Sequence, residues 1–270
     1  MSRLLVRAGA VALFAAWAFP IYWMLAASIT PEAQLFGAPE FLPATIVFDH
    51  YRALFAERQF WLPVRNSLVV AAATTVLALL VAIPAAYAAA RLRFCGRSVL
   101  LAAVLAVSVF PQISIVSPLF LLLRSVGLID TFPGLVLPYL TLSLPLAVWL
   151  LAAFFRQLPA DLEEAALMDG ASRLRAAVEV MVPLAAPAIA TTAILTFLYA
   201  WNEFLFALSF TLGPDRQTVP VAIALFRGQY QVPWGQILAA AVVASVPVAV
   251  IVLLFQRRIV SGLTSGATKG

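Results

Sequence analysis

Residues 67–90 read SLVVAAATTVLALLVAIPAAYAAA, twenty-four positions without one Asp, Glu, Lys or Arg. About 20 such residues in a helix cross the hydrocarbon core of a bilayer. Five further stretches pass the same test, so the apolar segments are 8–28, 67–90, 98–123, 134–155, 184–208 and 237–255. Only helices and closed barrels satisfy their own backbone in lipid, and long unbroken apolar runs are the helical solution. The expectation is an all-α integral membrane protein, a single transmembrane domain of six spans. Pro84, Pro111, Pro145 and Pro247 fall inside spans and predict kinked helices whose freed carbonyls are satisfied by neighbours.

Composition agrees. The 270 residues are 64% hydrophobic and 11% charged, with mean hydropathy +1.02. A soluble domain is about 45–50% apolar and about 25% charged. So few charges exclude a soluble enzyme, a nucleic-acid binder and a disordered chain. One cysteine, Cys95, excludes an internal disulfide, and one histidine, His50, excludes the usual His-based metal cluster. Cys95, between Arg93 and Arg97, reads as an incidental interfacial residue.

The first stretch follows Arg3 and Arg7 and ends at Ala26-Ala27-Ser28, which resembles a signal-peptide cleavage site. Its apolar run is longer than the usual 7–15 residues, so it reads as a retained helix. With that helix entering from the cytoplasm, one side holds Arg3, Arg7, Arg91, Arg93, Arg97, Arg156, Arg173, Arg175, Arg257, Arg258 and Lys269. The other holds Arg52, Arg58, Arg65, Arg124, Arg216 and Arg227. The excess of basic residues belongs in the cytoplasm, and both termini are expected there. The acids divide too: Asp161, Glu163, Glu164, Asp169 and Glu179 lie in one inner loop, and Glu203 alone falls within a span. The remaining six, including Glu40, face outward. The net charge of +5 is thus an orientation signal. The outer loop 29–66 is too polar to span, but Phe48, Tyr51, Leu54 and Phe55 have the spacing of a short amphipathic helix.

The inner loop 156–183 carries the chemistry. Pro159 suits a helix start, and Asp161, Glu163 and Glu164 suit its positive first turn. Leu162, Ala165, Ala166 and Asp169 share one face, and Gly170 fits the left-handed stop. Ser172 caps a second short helix, with Leu174, Val178 and Met181 as its apolar stripe, and Pro183 ends it before the fifth span. The small-residue face suits either close docking of a partner or a bare membrane-surface helix.

Here the residues resemble a family. Glu164-Ala165-Ala166, three residues, Gly170, nine residues and Val180-Met181-Val182-Pro183 match the EAA motif of binding-protein-dependent ABC importer permeases. Val180 replaces the motif's Ile and Val182 its Leu. Trp201-Asn202-Glu203-Phe204 and the 256–266 tail resemble the carbohydrate subfamily, in particular permeases similar to the maltose-system G subunit and the trehalose importer permeases of actinobacteria. The resemblance implies a type I importer permease in a bacterial cytoplasmic membrane, importing a di- or oligosaccharide such as trehalose or a maltose-like sugar. Its implied partners are a second permease, two cytoplasmic ATPase subunits that use ATP and Mg, and an extracytoplasmic sugar-binding protein. Glu164, Ala165, Ala166, Asp169, Gly170 and Pro183 would form the coupling joint with the ATPase, and the 256–270 tail allows a second contact.

No ATP site belongs to this chain by sequence: the sole lysine, Lys269, precedes Gly270, whereas a phosphate loop needs Lys followed by Ser or Thr. Thr192, Thr196, Tyr199 and Glu203 step by four, three and four, with Asn202 alongside, and Gln112 falls mid-way along the third span. These polar groups are candidates for lining a sugar path or for bonding between helices. The competing functions are a self-sufficient secondary transporter, which would show an internal repeat and midplane ionisable groups, and an intramembrane enzyme, which would need a nucleophile and base or metal ligands. None is evident.

Overall fold

In lipid, helices gain nothing hydrophobic by touching one another, so close packing of small side chains has to hold a bundle together. The long helix α3 (Trp61–Arg91) shows the consequence in the computed structural model, which describes residues 2–37, 41–92, 94–226 and 232–264. Its Ala71, Ala78, Ala82 and Ala86 are fully buried, while Val76, Leu77, Leu80 and Val81 face outward. The alanine face packs against α6 (Phe132–Gln157) and α10 (Ala186–Asn202), and these three helices form the centre. Outside them, α13 (Trp234–Thr264) lies on α10 and α1 (Ser2–Ser28) lies on α13. The first helix is turned almost wholly outward, with Phe14 and Trp17 about three-quarters exposed, as a lipid-facing surface requires. Among the described residues there is no strand.

Among the described residues four helices are long and apolar enough to span, and up to six spans result if each of two bent pairs counts as one. The predicted span 98–123 is therefore not one helix. It is α4 (Arg97–Val109) and α5 (Gln112–Ser125), meeting at 94°. Pro111 lacks an N–H and pushes Phe110 out of the helical region, to ψ 132°. The predicted span 184–208 is likewise divided: α10 stops at Asn202, Glu203 is extended, and α11 (Leu205–Phe210) comes next. Helices α3, α6 and α13 run on through Pro84, Pro145 and Pro247 without a break.

Two apolar cores occupy the two ends of the bundle. One contains Tyr87, Leu151, Phe155, Met181 and Ala185. The other contains Phe60, Tyr139, Trp201, Phe206 and Phe210, with Phe206 and Phe210 stacked at 5.5 Å. At the second end, the expected amphipathic helix is α2 (Asp49–Ala56), whose Leu54 is fully buried against the bundle while Phe48 and Phe55 stay exposed. Glu32 accepts hydrogen bonds from the Trp234 and Gly235 N–H groups, both at 2.9 Å, and so caps α13 across the fold. His50 Nε2 donates to the Thr30 carbonyl at 2.8 Å, and its ring covers Gly235. Asn66 Nδ2 donates to the carbonyls of Asp215 and Gln217, and Ser67 Oγ accepts from Val219 N–H. These bonds pin the loop before α12 (Val219–Ala224) to the start of α3. The helix α13 extends through Thr264, into what reads as a tail. Arg93, Arg227, Glu40, Lys269 and the tail positions 265–270 lie outside the described residues.

A methyl group on Gly235 would stand 2.2 Å from His50 Cε1. Gly235→Ala is expected to lower stability by about 1–3 kcal/mol through overpacking, read as a lower midpoint in a fluorescence-detected thermal unfolding series.

Candidate functional site

At the first end of the bundle, Leu158 leaves α6 in an extended conformation and Pro159 opens α7 (Ala160–Met168). Asp161 and Glu163 fall in its first turn, where the helix dipole favours acids. Gly170 has φ +85°, as expected for the stop. Its N–H donates to the Leu167 carbonyl at 3.1 Å and the Ala171 N–H to the Ala166 carbonyl at 3.0 Å, closing the helix by the two bonds of a Schellman turn. Ser172 Oγ then accepts from Arg175 N–H and starts α8 (Arg173–Ala176). A wide π turn, Ala177–Met181, precedes α9 (Val182–Leu184), because Pro183 has no N–H to return to the preceding turn. Pro183 is exposed beside the 74° bend into α10.

Of the expected joint residues, Glu164, Ala165, Asp169 and Gly170 are exposed and Ala166 is half-buried. Met168 is 88% exposed, which sets a large flexible apolar side chain on the same surface. The second stripe divides: Met181 is fully buried, but Leu174 and Val178 are exposed, so α8 adds apolar surface instead of turning it inward. The residue that anchors α7 is one that the sequence marks only as a dipole partner. Glu163 Oε1 accepts from the Tyr87 hydroxyl at 2.7 Å, and Oε2 lies 3.8 Å from Arg91 Nε. The Arg91 guanidinium also donates to the Leu158 carbonyl at 2.5 Å. Both partners come from the last turns of α3, over 70 positions away, a separation that no periodicity reveals.

The polar candidates meet in a groove of about 590 Å³ lined by Gln112, Leu195, Leu198, Tyr199, Asn202, Glu203, Phe204 and Leu205. Gln112 is the first residue of α5, directly after the bend, and its Nε2 donates to the Tyr199 hydroxyl at 2.7 Å. Asn202 is exposed and donates to the Leu198 carbonyl at 2.7 Å. Glu203 does not continue the helical stripe. It sits in the break, and its carboxylate accepts from Phe206 and Ala207 N–H at 2.8 and 3.1 Å, capping α11, with the buried Tyr139 hydroxyl beside it. Thr192 and Thr196 are buried among the helices and do not line the groove. Among the described residues no group of His, Cys, Asp and Glu is arranged to hold a metal.

A bundle of apolar helices, with a polar groove at two helix breaks and an exposed helix–corner–helix at one end, is the build of a membrane permease. Residues 76–265 match the model of the binding-protein-dependent transport system inner membrane components, and the chain belongs to that family. It is 49% identical to the trehalose transport system permease protein SugB of Mycobacterium tuberculosis, over 93% of this chain and 92% of that one. It is 40% identical to the trehalose/maltose transport system permease protein MalG of Thermococcus litoralis, over 100% and 98%. Among solved structures it resembles a bacterial ABC transporter involved in importing the acidic polysaccharide alginate, with TM-score 0.79 and 25% identity over 94% and 95% of the chains. A second structure, of an alginate transporter in complex with its pentasaccharide-bound periplasmic protein, shares the fold at TM-score 0.70 and 18% identity, over 96% of each chain. The chain is therefore an all-α ABC importer permease, a membrane protein and not an enzyme.

Removing the Glu163 carboxylate leaves the Tyr87 hydroxyl and the mostly buried Arg91 guanidinium without their shared partner, a loss of about 1–3 kcal/mol. Glu163→Ala is expected to speed hydrogen exchange of the amides of 160–172, while Glu163→Gln, which can still accept from Tyr87, recovers part of the protection.

Proposed function

We propose that this chain is one permease subunit of an ATP-driven importer of a disaccharide or short oligosaccharide, trehalose or a maltose-like sugar being the best candidates. The observation that carries the reading is the near full-length identity to SugB and MalG, whose names give those sugars. Its partners are a second permease, two cytoplasmic ATPase subunits that consume ATP with Mg, and an extracytoplasmic sugar-binding protein. The chain itself binds no cofactor. It lies in a bacterial cytoplasmic membrane with both termini inside, a sidedness that the arginine distribution supports.

In this reading the exposed Glu164, Ala165, Met168, Asp169 and Gly170, with the half-buried Ala166 among them, dock on an ATPase subunit. Two links lead inward from it. Glu163 ties α7 to Tyr87 and Arg91 at the end of α3, and the bent run through Pro183 continues into α10. Because α3 and α10 pack on each other, a displacement of α7 moves them together, and α10 ends at the groove of Gln112, Tyr199, Asn202 and Glu203. Coupling between distant sites requires a two-state element, and in this reading the joined α7, α3 and α10 serve as it. In the groove, Gln112 and Asn202 amides and the Tyr199 ring are the groups suited to sugar hydroxyls and a sugar face.

Gly170 tests the joint cleanly. Nothing lies within 4 Å of a Cβ placed there, so Gly170→Asp adds a carboxylate to the docking surface without a clash, and φ +85° costs it about 1–2 kcal/mol of backbone strain. The variant is expected to insert and purify normally yet lose trehalose uptake and sugar-stimulated ATP hydrolysis; normal uptake in a properly assembled complex would overturn the assignment. Sidedness is read separately. Exposed Cys95 is the chain's only cysteine, so a membrane-impermeant maleimide is expected to label it in inverted vesicles and not in intact cells.

A further inference from the structure

Beside the α7 end of the bundle lies a second cavity, of about 610 Å³, between the start of α4 and the end of α6. One end, its polar rim, is lined by Arg97, Ser98 and Arg156, and the apolar wall along the helices from there by Leu105 and Trp149. No acidic residue lines it, and neither Arg97 nor Arg156 has an ion pair or hydrogen bond among the described residues. Gly96 and the first residues of α4 also border it, without a side-chain cap or an acid in the first turn. From Arg97 to Leu105, and from Arg156 back to Trp149, the walls run seven or eight residues, about 10–12 Å along a helix. Trp149, Phe94 and Leu105 are each more than a third exposed, so the cavity opens outward from the bundle.

We propose that this cavity binds an anionic phospholipid of the cytoplasmic leaflet, its phosphate between Arg97, Ser98 and Arg156 and an acyl chain along Leu105 and Trp149. The shape decides between ligands of the same charge. A free phosphate uses only the rim, whereas an amphiphile also covers the apolar wall below it. A basic pocket between helices on the cytoplasmic side is the recognised physical setting for such a headgroup. The assignment of the leaflet rests on the orientation proposed above; the lipid chemistry does not.

The test uses the full chain, labelled at Cys95 with an environment-sensitive fluorophore, in phosphatidylcholine nanodiscs doped with brominated phosphatidylglycerol or brominated phosphatidylcholine. Cys95→Ser supplies the background. Brominated phosphatidylglycerol is expected to quench at mole fractions at least about tenfold lower than the choline lipid, a preference abolished in R97Q/R156Q. R124Q, at the opposite end of the bundle, is expected to keep it. Equal quenching by the two lipids overturns the proposal, and that comparison needs no substitution if the double variant fails to fold. Inorganic phosphate that removes the quenching completely at millimolar concentration also overturns it, in favour of a free-anion site. Cys95 labelling from the outer face would fault the orientation alone, and loss of sugar uptake is not a readout here.

Discussion

The alanine face of α3 sets the geometry on which the other helices depend. Ala71, Ala78, Ala82 and Ala86 let α6 and α10 approach a common axis, and larger side chains at those positions would hold α6 away from α3 and open the Tyr87–Phe155 ring contact. The consequence reaches both ends. At one end the close approach brings Tyr87 and Arg91 under α7, so that a surface helix of nine residues is fixed by a carboxylate. At the other it brings Asn66 and Ser67 to the loop ahead of α12, holding the far side of the bundle by hydrogen bonds from their side chains to its backbone.

Polar chemistry in this molecule sits where helices fail. The α4–α5 bend exposes Gln112 at a fresh helix start, and the α10–α11 break leaves Glu203 to cap α11. Backbone that leaves the helix in a membrane needs a local partner, and the Glu203 carboxylate supplies one for two N–H groups. A groove assembled from two breaks can change shape through small rotations of the half-helices, which an unbroken helix resists. The α7 end is different: its irregularities, Gly170 and the π turn, shape an exterior surface and carry no buried charge.

Much of this was legible in the residues. The apolar runs located the helices, Gly170 announced its left-handed turn and Ser172 its cap; the spacing of Phe48, Tyr51, Leu54 and Phe55 announced α2 but not that only Leu54 among them is fully buried. The EAA spacing marked the exposed loop by its residues alone. Pairing over distance and the angle at a break stayed hidden. Pro111 signalled a disturbance but not whether the chain kinks or turns through 94°. Glu203 kept helical register with Tyr199 on paper, yet three residues farther on two N–H groups needed an acceptor, and that demand removed it from the helix. Glu163 and Glu164 are adjacent and chemically identical; only the position of α3 decides which is anchored and which is presented.

The cap that Glu32 gives to α13 also orders events in time. The carboxylate is made 202 residues before the Trp234 N–H it will bind. At about 5–20 residues per second, the ribosome takes roughly 10–40 s to cover that distance. During that interval the first loop waits as a half-built socket, with the His50 ring already available to occupy the space over a glycine not yet synthesised. The last described helix to emerge is thus received by the first loop, and chain closure, not any local step, completes that end of the bundle.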